Sequence, residues 1–301
     1  MDNITRETEK GLMNEVVGIT QFKILVDENI KLVTIIGEYH NQMYDCCSDT
    51  ESIISNSRYT SDRLTNNNKA MILLEFGKEG PAGIGSACVT DMCKRGFDDT
   101  RIIGIDNRSG LLKDRNDQSL LYDDDRLHSI LIKSNKSSVQ NFLMDKYINP
   151  LNTDSIYHSV NRQLYTNESF GILSRYLEAL KQQKIRVHSL LGSIPDDFMT
   201  NDKYVNYLIH EFRLVWAAVM DFNILTIIFK TTTSVNEYVC VLGDAHRDNL
   251  SNYLHVQNVS ERMSDIKMSR CKCVKYDELF NITQTTDKKK KHDKKPTKRK
   301  N

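Results

Sequence analysis

Leu32-Val33-Thr34-Ile35-Ile36-Gly37-Glu38-Tyr39-His40 and Tyr238-Val239-Cys240-Val241-Leu242-Gly243-Asp244-Ala245-His246 are two copies of one arrangement, an apolar run that stops at Gly-acid-x-His. A short run rich in β-branched residues reads as a buried strand, and the glycine after it lets the backbone turn sharply. The acid and the histidine are therefore expected on the loop beyond the strand. In open α/β sheets ligands bind in that region, outside the carboxyl ends of the strands. Two such ends, far apart in sequence, predict a cleft that gathers two histidines and two carboxylates.

Two more runs repeat the pattern. Ala70-Met71-Ile72-Leu73-Leu74 ends at Glu75, and Arg101-Ile102-Ile103-Gly104-Ile105 ends at Asp106. Upstream, Phe22 to Val26 and Lys31 to Ile36 read as two strands of a hairpin around Asp27-Glu28-Asn29. Asp49 to Leu64 allows a helix, and the Gly-rich stretch Gly77 to Gly85 is read as a loop. From about Leu120 to Phe229 the period turns helical: Leu173, Tyr176, Leu177 and Leu180 share one face, as do Val205, Leu208, Ile209, Phe212 and Trp216, with Pro150 and Pro195 as breaks. A helix over Asp248 to Val256 and a last strand over Cys271 to Lys275 follow the second motif. The expected fold class is α/β, with a mixed, largely parallel central sheet flanked by helices and a helical block between the third and fourth motif strands. The organisation expected is a polar lead over 1–19, one domain over 20–282 with its helical insert at about 120–230, and a disordered basic tail over 283–301.

The chain has 301 residues, 39% apolar and 27% charged, an ordinary globular composition. Its richest apolar stretch, Leu214 to Phe229, is interrupted by Asp221 and Asn223, so no membrane span is expected. Met1 to Lys10 has no apolar segment of a secretory leader, which predicts an intracellular protein, cytoplasmic or nuclear. Seven cysteines without a repeated Cys-x-x-Cys pair argue against a disulfide framework or a zinc ribbon. Lys288 to Lys300 carries nine Lys or Arg against one acid, Asp293, so with a whole-chain net charge of +1 the remainder is acidic. Such a run is expected to serve as a polyanion or nuclear-import contact, or simply as a solubilising tail.

Acids and histidines just past expected strands are Glu38, His40, Glu75, Asp106, Asp244 and His246. Crowded carboxylates are costly unless a metal, a cation or shared protons compensate, so the set reads as functional. The ordered motifs Gly37-Glu38-Tyr39-His40, Leu74-Glu75, Gly104-Ile105-Asp106 and Gly243-Asp244-Ala245-His246 resemble those of the superfamily that joins erythromycin esterases, the heme-binding ChaN lipoproteins and the TraB/TIKI proteins. The resemblance spans roughly residues 20 to 280. It implies a largely parallel sheet with a cleft lined by these acids and histidines. Many relatives carry an Arg-Asp pair on the helix before the last motif; the matching stretch, Met220 to Leu225, keeps Asp221 and lacks the arginine. Arg108 and Arg213 are the candidates to supply that charge. Activity differs among members, which include metal-independent esterases, metalloprotease-like proteins and a heme binder.

The residues themselves suit hydrolysis of an ester, lactone or amide bond in a small-molecule or peptide substrate. His40 is expected to act as general base, with Glu38 and Glu75 orienting it or holding water, and His246 with Asp244 as the opposing polar wall. His40, Glu75 and His246 equally form a ligand set for zinc, manganese or cobalt with an open position for water, so metal dependence stays open. The two histidines are expected within about 10 Å of each other, a span that one water or metal bridges. In a metal-free site, replacing Glu75 by Gln is expected to hold or raise stability. No Gly-x-Ser-x-Gly elbow, Gly-rich phosphate loop or His-Glu-x-x-His helix is present. The alternative is an inactive relative of the fold that binds or scaffolds; heme held by Tyr39 or Tyr44 is a further, weaker reading.

Overall fold

The computed structural model describes residues 15–26, 28–39, 65–77, 99–106, 108–112, 120, 124–231, 234–257 and 260–267. Six strands form one sheet: β1 (Glu15–Val26), β2 (Asn29–Tyr39), β3 (Ala70–Gly77), β4 (Ile102–Asp106), β5 (Glu237–Gly243) and β6 (Ser260–Lys267). Their spatial order is β4-β3-β5-β2-β1-β6. β4, β3, β5 and β2 run parallel to one another, whereas β1 pairs antiparallel with both β2 and β6. The sheet is thus mixed and largely parallel, as its β-branched runs imply. Every residue of the middle strand β5 is buried, which is what a strand covered on both faces requires.

β1 and β2 form the expected hairpin, registered from Val26↔Asn29, with Glu28 at φ 64° in its turn. β1 reaches back to Glu15, into the stretch read as a polar lead. Phe22, Ile24, Val33, Ile35, Leu73, Ile105, Tyr238, Cys240 and Leu242 present one face of the sheet to the main core, while Ile36, Ile72, Leu74 and Val239 lie buried on the other.

The α-helices among the described residues are α1 (Arg108–Leu111), α2 (Asp124–Ile132), α3 (Lys136–Leu143), α4 (Thr153–Ser159), α5 (Asn167–Gly192), α6 (Asp202–Ile228) and α7 (Asp244–Val256), with a π-helical turn over Met144–Ile148 after α3. Four of them start where a side-chain oxygen accepts an otherwise unpaired backbone N–H: Asn135 from Ser138, Asn152 from Ser155, Thr166 from Ser169 and Asn201 from Tyr204. Both apolar faces foreseen on α5 and α6 are buried. The C-terminal half of α6 is buried nearly all round, the mark of a helix at the centre of a core. No helix among the described residues is long and apolar enough to cross a membrane. Tyr147 packs edge-on against Phe142, Phe212 and Trp216 and closes the helical block.

Lys31, buried at the start of β2, donates from Nζ to the carbonyls of Ile228 (2.9 Å) and Lys230 (2.6 Å). The Ile228 carbonyl is among the acceptors that the end of α6 leaves without intrahelical partners, and Lys230 lies just beyond that end. Burial lowers the ammonium to about 8, so it is still charged at neutral pH while it ties the base of β2 to the end of α6.

Three expectations need correction. α7 begins at Asp244 rather than Asp248, directly after Gly243, so Asp244 and His246 occupy its first turn instead of a loop. An acid in the first turn complements the helix dipole, which favours that early start. Glu38 and Glu75 lie within strands, because β2 runs to Tyr39 and β3 to Gly77. Finally, the edge strand β6 went unseen, since Ser260 to Lys267 is polar and lacks an apolar run. The expected helix over 49–64, the strand over 271–275 and nearly all of the 77–85 loop lie outside the described residues.

Candidate active site

Parallel pairing brings the motif ends to one edge of the sheet. Glu38 stands level with Gly243, Leu74 with Val241, and Gly77 with Asp106. Across the edge the order is therefore Asp106 on β4, Glu75 on β3, Gly243 leading to His246 from β5, and Glu38 on β2. From β3 the chain goes on to β4 at one side of the sheet, whereas from β5 it passes through α7 toward β6 at the other. The crevice between β3 and β5 is thus a topological switch point, the usual ligand position in open α/β sheets.

His246 is the hub. Its Nδ1 lies 2.6 Å from Asp221 Oδ1, and its Nε2 lies 3.5 Å from Glu75 Oε1. Glu75 also accepts at Oε2 from the backbone N–H of Gly243 (2.7 Å) and at Oε1 from Arg108 Nη2 (3.2 Å). Arg108 grips Asp106 through Nε and Nη2, both at 2.8 Å, and through its own backbone N–H. Behind Asp221, the Tyr176 hydroxyl donates to Oδ2 at 3.2 Å. Asn223, two residues along α6, donates to the carbonyl of Ile105 (2.8 Å) and so fixes that helix against the end of β4.

The cluster is nearly dry: Asp221 is fully buried, and Glu75 keeps only 12% of its side chain accessible. Burial by itself lowers the His246 pKa; the charges of Asp221 and Glu75 and their hydrogen bonds outweigh it and raise the imidazole from 6.5 to about 10. At neutral pH the ring is therefore a cation that donates from both nitrogens. Burial, reinforced by the Asp221 charge, pushes the Tyr176 phenol well up, so it stays a donor. Two cations, Arg108 and His246, thus interleave three carboxylates, which is how the crowding is compensated among these residues.

No protein-family model, curated protein or solved structure matches the chain.

Of the residues singled out from sequence, Glu75, Asp106, Arg108, Asp221 and His246 converge. Arg108 supplies the guanidinium beside the carboxylates, while Arg213 sits more than two turns before Asp221 on α6. Asp244 turns away from the cluster and holds Arg247 Nε at 2.5 Å. The Glu38 backbone lies in β2 level with Gly243, but its side chain and all of His40 lie outside the described residues. Glu75 and His246 provide two donors of the expected metal set; His40 would be the third. Among the described residues no group of three or more His, Cys, Asp or Glu is arranged to hold a metal ion. Cys240 is buried with its thiol pushed up by burial, which leaves it a packing residue.

Tyr176, Asn223 and Arg247 were missed. Tyr176 was visible only as an aromatic on an apolar helix face. Arg247 had a signal that was available, a cation three residues after Asp244 on what proves to be one helix.

Proposed function

We propose that the chain hydrolyses an ester, lactone or amide bond in a small-molecule or peptide substrate seated in the crevice between β3 and β5. The observation that carries this reading is one imidazole held between two carboxylates, Asp221 at 2.6 Å and Glu75 at 3.5 Å, at the carboxyl ends of parallel strands. The ordered motifs at one sheet edge support membership of the erythromycin esterase, ChaN-like and TraB/TIKI superfamily as part of the same proposal.

The His246 charge state decides its role. Protonated at neutral pH, it serves as a general acid and as an electrostatic partner for the oxyanion that forms on the substrate carbonyl, rather than as a base. Asp221, itself held by Tyr176, fixes the ring. Glu75 orients water beside Nε2, and Arg108 with the Gly243 N–H holds that carboxylate in place. The base is assigned to His40, which follows Tyr39 in the sequence. A divalent metal bound by His40, Glu75 and His246 would activate water in place of a base, and metal dependence belongs to the test.

A screen of esters, lactones and peptides, with and without zinc, manganese or cobalt, tests the proposal. Hydrolysis by the wild type, lost in both His246→Ala and Glu75→Gln while circular dichroism stays native, supports it. Equal rates in wild type and both variants refute it. The second reading, a binding or scaffold protein without catalysis, is favoured by the internal pairing of the buried charges. It predicts no turnover and a large stability loss from both substitutions.

A further inference from the structure

We propose that Arg247 is a positioning residue of this site: it sets how the first turn of α7, which carries His246, seats on the end of β2, which leads into Glu38 and His40. The proposal rests on the reading that His246 acts in the crevice.

Arg247 is among the most deeply buried large side chains of the protein, at 1% exposure. Its Nη1 donates to Thr20 Oγ1 on β1 (3.0 Å), its Nε to Asp244 (2.5 Å), and its Nη2 lies 2.9 Å from Asp248. The guanidinium stands over Gly18, and Arg247 Nε and Cδ stand over Gly37, its direct partner across β1 and β2. A Cβ at Gly18 would stand 2.7 Å from Arg247 Cζ; one at Gly37 would stand 2.8 Å from Nε and closer still to Asp244 Oδ1. Real Cβ atoms do not approach that closely, so a side chain at either position would force the Arg247 head, and at Gly37 also the Asp244 carboxylate, to shift.

This gives the two Gly-acid-x-His motifs different parts. In the first, Gly37 is the floor on which the arginine rests. In the second, Asp244 is the clamp that orients it, and His246 is the reactive group. Consecutive helix residues point about 100° apart, so Arg247 faces the β1–β2 floor while His246 faces Asp221 and Glu75. The arginine therefore sets the roll and height of the helix turn on which the imidazole sits. A displacement of 1 Å at such a group costs about 100-fold in rate.

The test uses Arg247→Lys, Gly37→Ala and Thr20→Val in the full chain, read by ring-nitrogen NMR of His246, assigned with His246→Gln, and by kcat and KM on a substrate from the screen. Lysine keeps the charge but loses the planar fork, and Thr20→Val removes one hydrogen bond at nearly constant volume, so it folds even where the others do not. Each variant is expected to move the His246 ring signals and to lower kcat about tenfold or more with KM within about threefold. In a Gly18→Ala background, where the three atoms nearest the new Cβ all belong to Arg247, Arg247→Ala is expected to relieve the collision, so the double variant is no worse than Arg247→Ala alone. Unmoved His246 signals in folded Thr20→Val and Gly37→Ala, or fully additive effects in the double variant, would overturn the proposal. If the wild type hydrolyses nothing, the hydrolase reading fails, and the NMR arm still decides what Arg247 does.

Discussion

Asp221→Asn removes the charge 2.6 Å from His246 Nδ1 while leaving an oxygen for Tyr176. The rise of the imidazole from 6.5 to about 10 corresponds, at about 1.4 kcal/mol per pH unit, to roughly 5 kcal/mol net, the attraction of its partners less the cost of burying the ring. Glu75 shares that sum, so Asp221 accounts for about 3 kcal/mol, in line with the roughly 3–5 kcal/mol lost when a buried ion pair is broken. A group whose pKa is raised by folding contributes stability that is fully present below its unfolded value and is lost as pH rises through its folded one. The gap between wild type and Asp221→Asn should therefore be widest near pH 6 and close as pH approaches 10. Lys31, lowered to about 8, titrates over part of the same range, but in both proteins, and cancels in the difference. Urea unfolding of the two proteins at steps from pH 6 to 10 measures the gap. A gap below about 1 kcal/mol, or one that does not change with pH, would show that His246 is not the buried cation described above.

Glu75→Gln, expected from sequence to hold or raise stability, should lower it by about 1–3 kcal/mol, because the carboxylate stands between Arg108 and His246; urea unfolding at pH 7 checks this. Lys31→Met keeps the apolar stem and removes the cap on Ile228 and Lys230, so a loss of about 1–3 kcal/mol is expected by the same assay, with no loss of hydrolysis beyond what unfolding explains. Truncation after Asp287 should leave the melting temperature unchanged and weaken binding to heparin or nucleic acid in a salt-dependent way, as read by calorimetry and by titration at two salt concentrations.

The parallel strands were readable because each is a short run of Ile, Leu and Val buried on both faces, and the hairpin because two such runs flank Asp27-Glu28-Asn29. α5 and α6 announced themselves through faces that stay apolar over several turns. β6 did not, since an edge strand need bury little and Ser260 to Lys267 is mostly polar. The start of α7 was hidden for another reason: Asp244-Ala245-His246-Arg247 has the polarity of a loop, and only the pairing of Asp244 with Arg247 reveals it as a helix turn. At the site, Glu75, Asp106 and His246 could be placed because they end strands. Asp221 sits in the middle of a buried helix, where no strand end marks it, and came to notice only through the family resemblance. Tyr176 could not be told from a core aromatic, because its contribution is one hydroxyl on an otherwise apolar face.

The pH dependence of hydrolysis tests the central claim most directly, since it asks whether turnover needs the charged imidazole. With an ester, lactone or peptide found in the screen, kcat corrected for uncatalysed hydrolysis should stay level through pH 9 and fall through about 10 in the wild type, and the falling limb should move toward neutral pH in Asp221→Asn. A falling limb that is absent from the wild type or unmoved in Asp221→Asn, or no hydrolysis of any substrate, would contradict the account.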